Sequence, residues 1–349
     1  MTESQKKTVG ADPRALAEVL DGHDNVIVFC HMNPDPDSIA SGLAMKQLLE
    51  CRFGKVVRLC YRGIIGRAQN REMRKRLAPE LMHFLEIEDQ DFTAAILVDA
   101  QPQFGFHPED LAEQDVPVLG CVDHHPFVES TKSLPFYDVR PNFGATATIM
   151  TEYLRLFSVV PTSTVATALF YGIKTDTLGL TRRTSDADRN AYEYLIPFVN
   201  HETLMAIEAP PLTGTYFRDL KNAIEKARVY KNLVVTHIGE LPYPDMVAEI
   251  ADLLLKVEEA NWSVCMGWFE ELIYVSVRTN DPNGDAGVFI RQVVNELGQA
   301  GGHNTMAAAR LKMSGAGADD FEGLRVELTE RMLDRLELKE EDGVDLVAK

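Results

Sequence analysis

Cysteine is sparse in this chain and its placement is uninformative in a useful way. The five residues at positions 30, 51, 60, 121 and 265 form no CxxC pair and no disulfide-like spacing. A disulfide framework is thereby excluded, and thiols that end or interrupt β-like runs suit a reduced, buried setting. Long hydrophobic runs are also missing: apolar stretches are short and broken by charge, so no transmembrane span and no membrane partner are expected. The opening Met1-Thr-Glu-Ser-Gln-Lys-Lys lacks the apolar core of a signal peptide, which makes the cytoplasm the expected compartment. Positive charge is in deficit, with 35 Lys and Arg against 53 Asp and Glu and a net charge of −18. That balance argues against gripping long duplex nucleic acid by a surface field, while a small anion could still enter a locally positive pocket. No internal repeat or low-complexity tract is evident.

What is present is enough chain for two α/β units. At 349 residues and 45% apolar content, two domains are the natural reading. In the first half, apolar strands are expected at Asn25 to Cys30, Val56 to Tyr61, Ala94 to Val98 and Val116 to Val122, with helices over 11–21, 38–51, 67–77, 144–157, 162–176 and 186–200. Pro210-Pro211 breaks the chain, so residues 1–205 form a first domain, 206–230 a linker with a charged helix, and 231–349 a second, smaller α/β domain. There, strands are read at 232–238, 262–268 and 272–278, helices at 245–258 and 286–297, and a charged helical tail from Phe321 fading into an acidic end.

Ionisable residues gather at the ends of the first-half strands. The run Val26-Ile-Val-Phe-Cys delivers His31, Asp35 and Asp37 before a helix begins. One imidazole and two hard oxygen donors in seven residues resemble half of a divalent-metal site; a helix N-cap at Asp37 or Ser38 beside a solvated aspartate explains the same letters. Asp99 follows Ala94–Val98, where a turn aspartate is equally ordinary. Asp123-His124-His125 is harder to explain as a surface turn. Asp176, in Gly172-Ile-Lys-Thr-Asp-Thr-Leu-Gly179, follows a helix. Parallel βαβ units bring strand C-termini together along one edge, where ligands bind in open α/β sheets.

Taken in order, these segments resemble the DHH phosphoesterases that carry a C-terminal DHHA1 domain. The matching motifs are His31-x-Asn33-Pro34-Asp35-x-Asp37, Asp99 after a strand, Asp123-His124-His125 and Thr175-Asp176-Thr177, then Val275-Ser-Val-Arg278 and Gly301-Gly302-His303. Size and layout are most similar to the stand-alone oligoribonuclease/pAp phosphatases of the nanoRNase A kind. The resemblance implies an N-terminal DHH domain with a mainly parallel sheet flanked by helices, a smaller α/β DHHA1 domain, and an active site in the cleft between them. It implies two divalent metal ions, Mn²⁺ or else Mg²⁺, with His31 and Asp35 on one, Asp37, His124 and Asp176 on the other, and Asp99 bridging. Asp123 would orient a histidine, and His125 would serve the leaving group or a phosphate oxygen. Arg278 and the Gly301, Gly302, His303 loop would hold the end of a short oligoribonucleotide or small nucleotide, and a homodimer is compatible with the family. Pro36 and Ala40 stand where the family often has glycine, and Met306 and Ala308 depart from its glycine-histidine loop.

The expected activity is therefore hydrolysis of phosphodiester or phosphomonoester bonds in short oligoribonucleotides or pAp-like nucleotides. A linear or cyclic dinucleotide phosphodiesterase is the sister reading. A manganese pyrophosphatase would need more basic residues in its second domain, and a RecJ-type exonuclease would be larger. A silent nucleotide-binding regulatory module would be expected to have gaps in the ligand set.

Overall fold

The computed structural model of the chain describes residues 9–10, 12–87, 92–106, 116–313 and 318–347; the opening heptapeptide and the last two residues of the acidic tail lie outside them. The chain divides into two compact units, Met1–Pro210 and Pro211–Lys349.

The first unit is built on a sheet whose strands are β1 (Val9–Gly10), β2 (Asn25–Phe29), β3 (Val56–Tyr61), β4 (Met82–His83), β5 (Ala94–Val98), β8 (Val118–Asp123) and β9 (Phe136–Val139), with a separate small pair, β6 (Gln101–Pro102) and β7 (Gly105–Phe106). The order across the large sheet is β1-β9-β8-β5-β2-β3-β4. All its pairings are parallel except that of β1 with β9. The apolar runs are unbroken because both faces are covered. Val26 and Val28 of β2 face one core cluster, and Ile27 and Phe29 face another that holds Phe84 and Phe106. Around the sheet lie α1 (Ala15–Val19), α2 (Pro36–Phe53), α3 (Ala68–Leu77), α4 (Thr146–Leu156), α5 (Ser163–Asp176), α6 (Asp186–Leu195) and α7 (His201–Glu208). The chain runs β2, β3, β4 towards one edge, then returns to lay β5, β8 and β9 on the other side of β2. The order therefore reverses between β2 and β5, and such switch points leave a crevice at the strand C-termini.

Three sequence readings need correction. The first helix is shorter than 11–21, spanning Ala15–Val19. The cap of α2 is Asp35, whose carboxylate accepts the Ser38 amide at 3.0 Å, with Pro36 in the first turn; Asp37 already lies inside the helix. Proline suits that place because its missing N–H is an orphan there anyway. The charged helix read as a connector is α8 (Gly214–Glu225), and it belongs to the second unit, where Ala223 is fully buried in a core cluster.

The second unit carries β10 (Arg228–Tyr230), β11 (Leu233–Glu240), α9 (Met246–Leu254), β12 (Trp262–Phe269), β13 (Leu272–Thr279), α10 (Ala286–Val294), β14 (Gly298–Gly302), β15 (Met306–Lys312), α11 (Ala318–Arg335) and β16 (Gly343–Asp345). Its sheet order is β14-β15-β13-β12-β11-β10-β16, with only β11–β12 parallel. Residues 301–303 are thus a strand end rather than a free loop. Gly301 and Gly302 pair with Ala308 and Ala307, and His303 begins the hairpin turn. The β15 strand escapes a sequence reading because its buried alternate positions are Ala307, Ala309 and Leu311, two of them small and not β-branched.

Asp188, fully buried at the start of α6, ties three segments together. It accepts the Gly144 amide (2.9 and 3.0 Å), the Thr148 hydroxyl (2.5 Å) and both the amide (2.7 Å) and hydroxyl (2.6 Å) of Ser185. Removing it strands buried donors. Asp188→Ala should lower unfolding free energy by roughly 2–4 kcal/mol, read from urea denaturation; a change near zero would mean water replaces the carboxylate at no cost.

Candidate metal centre

The residues that follow β2, β5 and β8 converge with the last residue of α5. His31 leaves β2 with its amide donating to Ser38 Oγ at 2.7 Å. Gly105 packs over its imidazole: a Cβ there would lie 2.3 Å from His31 Cδ2, and φ is +70°. Only glycine meets both conditions. Asp37, fully buried, accepts the Thr146 and Ala147 amides at 2.7 Å each. These are orphan donors of the first turn of α4, so Asp37 caps that helix from another. The helices approach closely enough because Gly172 of α5 faces Asp37, where a Cβ would sit 3.1 Å from Asp37 Cα.

Asp99 adopts a left-handed backbone, φ 57°, rare for a residue with a side chain. Its amide donates to Val122 O at 2.9 Å and its carboxylate accepts Thr146 Oγ1 at 3.0 Å. Those two bonds hold the strained residue in place. At the end of β8, Asp123 is fully buried and accepts the His124 amide (2.8 Å), His125 Nδ1 (2.9 Å) and Gln101 Nε2 (2.6 Å). Gln101 is itself fixed, donating to Pro126 O and accepting from Val128 N and Thr131 Oγ1.

His124 carries the informative geometry. Its Nδ1 meets Phe143 O at 3.3 Å, which assigns the proton to that nitrogen and turns Nε2 inward as an acceptor. Nε2 is buried without a hydrogen-bond partner among the described residues. It lies 3.8, 3.7 and 3.5 Å from carboxylate oxygens of Asp37, Asp99 and Asp176. A buried lone pair facing three carboxylates has no protein donor to satisfy it; a cation fits that gap. Ligand atoms of Asp37, His124 and Asp176, and likewise of Asp99, His124 and His125, lie within 4.8 Å of one another. His31 and Asp35 stand outside these two groupings but within electrostatic reach of them.

The protonation pattern agrees. Burial, then the neighbouring Asp35, pushes the Asp37 carboxyl up to about 7. Burial and the surrounding aspartates push Asp99 and Asp176 well above the usual carboxylate range. Burial also lowers His124, to about 4, and lowers His31. Asp123 goes the other way: burial opposes ionisation, yet His125 and the bonds it receives hold it at about 2. In turn Asp123 outweighs burial and raises His125. Crowded carboxylates that resist ionisation alone are what a divalent cation reverses.

Sequence reasoning missed Gln101, Thr146 and the pair Arg182-Arg183, although Gln101 follows Asp99 by two and the arginines follow Asp176 closely. In the second unit, Arg278 is nearly buried, and its guanidinium donates to Asp252, to Ser276 Oγ at 2.8 Å and to Val277 O at 3.0 Å. Met306 pairs directly with Arg278, and Ala308 lies between Ser276 and Gly301, so the departing positions flank the same strand ends.

Residues 25–173 match the DHH family, N-terminal domain. The chain is 33% identical over 323 residues to an uncharacterized protein of Methanocaldococcus jannaschii, covering 91% of this chain and 65% of that protein. It is 26% identical over 316 residues to the cyclic-di-AMP phosphodiesterase GdpP of Bacillus subtilis, covering 85% of this chain and 46% of that protein. The chain thus spans between about half and two thirds of the length of these relatives. An exopolyphosphatase-related protein from Bacteroides fragilis shares the fold, with a TM-score of 0.73 at 14% identity over 96% of this chain and 98% of that one. With its histidines and aspartates assembled at one sheet edge, the first unit is where the match to the DHH family, N-terminal domain, lies.

Proposed function

We propose that this protein is a metal-dependent phosphoesterase that hydrolyses phosphate-ester bonds of small nucleotides or short oligoribonucleotides. The observation that carries the reading is the inward-facing His124 Nε2 among Asp37, Asp99 and Asp176. His31 and Asp35 are proposed to hold one divalent cation, Asp37, His124 and Asp176 a second, and Asp99 both; Mn²⁺ suits a donor set of oxygens and imidazoles. Two such cations, when bound, acidify a water and stabilise the charge that develops at phosphorus.

The chain's own residues divide the remaining work. Asp37 fixes the start of α4 while presenting an oxygen towards His124. Asp123, ionised and held by Gln101, keeps His125 Nδ1 engaged and makes that imidazole more basic. His125 Nε2 is then the nitrogen that can carry a proton to the departing oxygen. Phe104, its ring centroid 4.8 Å from that of His125, shields one side of the imidazole. Gly301, Gly302 and His303 remain the residues proposed to touch substrate from the second unit. Arg278 joins them in this proposal once its bonds to Asp252 and Ser276 are exchanged.

The resemblance to nanoRNase-type enzymes favours pAp and short oligoribonucleotides; a cyclic or linear dinucleotide phosphodiesterase is the second reading, and its cyclic form is supported by the match to the cyclic-di-AMP phosphodiesterase GdpP over 85% of this chain. Incubating pAp, pApA, a ribonucleotide 5-mer and cyclic-di-AMP with Mn²⁺, followed by chromatography, separates them. No metal-dependent product from any of these, or from bis-p-nitrophenyl phosphate, would leave only a binding role.

Three further outcomes follow from the geometry. Asp37→Ala and His124→Ala should each lower turnover by more than about a hundredfold, beyond the range typical of outer-shell changes; full Mn²⁺-dependent activity in both would refute the site. Gln101→Leu should lower kcat by about tenfold to a hundredfold, because Asp123 and His125 lose their anchor, with little change in Mn²⁺ affinity. Metal binding must strip protons from carboxyls whose pKa is raised, Asp37 to about 7. Calorimetry in buffers of different ionisation enthalpy should therefore show more protons released per Mn²⁺ at pH 6 than at pH 8, and weaker binding as pH falls. No proton release at either pH would mean these carboxyls are already ionised without metal.

A further inference from the structure

The loop between α5 and α6 carries two adjacent arginines beside a proposed metal ligand, and the reading above gives neither a task. Asp176 ends α5, and the chain then folds back on itself. The Thr181 and Arg182 amides donate to Thr177 O at 2.9 and 2.8 Å, the Gly179 amide to Lys174 O at 2.8 Å, and the Leu180 amide to Thr177 Oγ1 at 3.0 Å. Leu178, Leu180 and Arg183 have φ of 48°, 67° and 47°. Side-chain-bearing residues take this conformation only against steric resistance, so a cluster of them persists where the surroundings over-determine it. Here the surroundings are the metal centre's own supports. A Cβ on Gly144 would lie 2.9 Å from Arg183 O, and Asp188 binds both the Gly144 amide and Ser185. Thr146, two residues past Gly144, bonds Asp37 and Asp99.

The charges need a reason. Arg182 and Arg183 follow the Asp176 carboxylate by six and seven residues on the folded-back loop and interact with it electrostatically. Both guanidiniums are therefore in electrostatic reach of the centre. Asp35, Asp37, Asp99 and Asp176 supply four negative charges, which match two divalent cations when the imidazoles are neutral. The arginine pair is then a local positive surplus in a chain of net charge −18. Arg182 has a structural role, since its guanidinium donates to Asp176 O at 3.2 Å at the helix end. Arg183 is exposed and, among the described residues, forms no ion pair. A planar guanidinium next to cations is stable when an anion lies between them, and a phosphate oxygen is well matched to it.

We propose that Arg183 is a substrate-binding residue that contacts a phosphate group of the nucleotide, with Arg182 positioning the loop that carries it. This rests on the phosphoesterase reading for its substrate class, and the test separates the two. The 349-residue chain is loaded with Ca²⁺ and titrated with AMP by calorimetry; in parallel, the Mn²⁺ form is assayed on whichever nucleotide of the panel it hydrolyses. Arg183→Ala should weaken AMP binding and raise KM by about tenfold to a hundredfold, the loss of one charge-assisted bond, with kcat falling far less. Arg183→Lys should recover part of the affinity, and Arg183→Gly, which accepts the left-handed backbone, should show the same loss with unchanged melting temperature. Mn²⁺ affinity should stay within about twofold, since no ligand is removed. AMP binding by Arg183→Gly equal to wild type overturns the inference, as does a loss of Mn²⁺ affinity that accounts for the whole effect. A protein that binds AMP through Arg183 yet hydrolyses nothing would keep the inference and remove the phosphoesterase reading; turnover with an unaltered Arg183→Gly variant would do the reverse.

Discussion

The two bonds from the Asp37 carboxylate to the first amides of α4 are the constraint on which the centre depends. They are short, at 2.7 Å each, and fully buried. A single side chain satisfies orphan donors of one helix from the first turn of another. Asp37 is therefore fixed by folding rather than by any ligand, and its Oδ2 is set towards His124 Nε2 before a cation arrives. Thr146 extends the same anchor to Asp99, so that residues from α2, the end of β5 and α4 share one rigid seat. Small residues at the crossing, Gly172 and Ala40 among them, let the helices come close enough for this to happen.

Ionisation sorts the aspartates of the centre into two kinds. Asp37, Asp99 and Asp176 gather around His124, and without a cation each resists ionisation. Asp123 is just as buried but faces donors: Gln101, the His124 amide and His125. It is charged at any ordinary pH. Burial alone thus does not decide protonation; the chemistry of what each carboxylate faces does. Carboxylates crowded together are suited to a cation, and the one that bonds an imidazole is suited to tuning it.

Much of this was legible in the letters. Strands at Val56–Tyr61 and Ala94–Val98 matched the expected spans, because runs buried on both faces leave an unbroken apolar signal. The ends of β2, β5 and β8 could be read as one edge from the repeated placement of His31, Asp99 and Asp123 after apolar runs. What could not be read depends on long-range contact. Phe136–Val139 is a short strand with an aspartate inside it, and Asp138 is tolerated there because Arg140 and Tyr153 bind it. Gln101 looks like any polar residue after a strand until its four bonds are seen. The choice between cap and ligand for the first motif also dissolves: Asp35 caps α2, while Asp37 is freed to face inward.

Pro36 shows how a departure from a family's pattern can be read physically. In the first turn of α2 its fixed φ favours helix entry and it lacks an N–H that would otherwise need a partner. Asp35 on one side adopts the extended backbone that a residue before proline prefers, and that is also the backbone of an N-cap. Glycine at this position would leave the turn freer to vary the separation of the two carboxylates. Proline narrows that freedom, and so holds Asp35 and Asp37 at one spacing. Proline in that place therefore leaves the proposed donor set untouched and makes the entry to α2 stiffer.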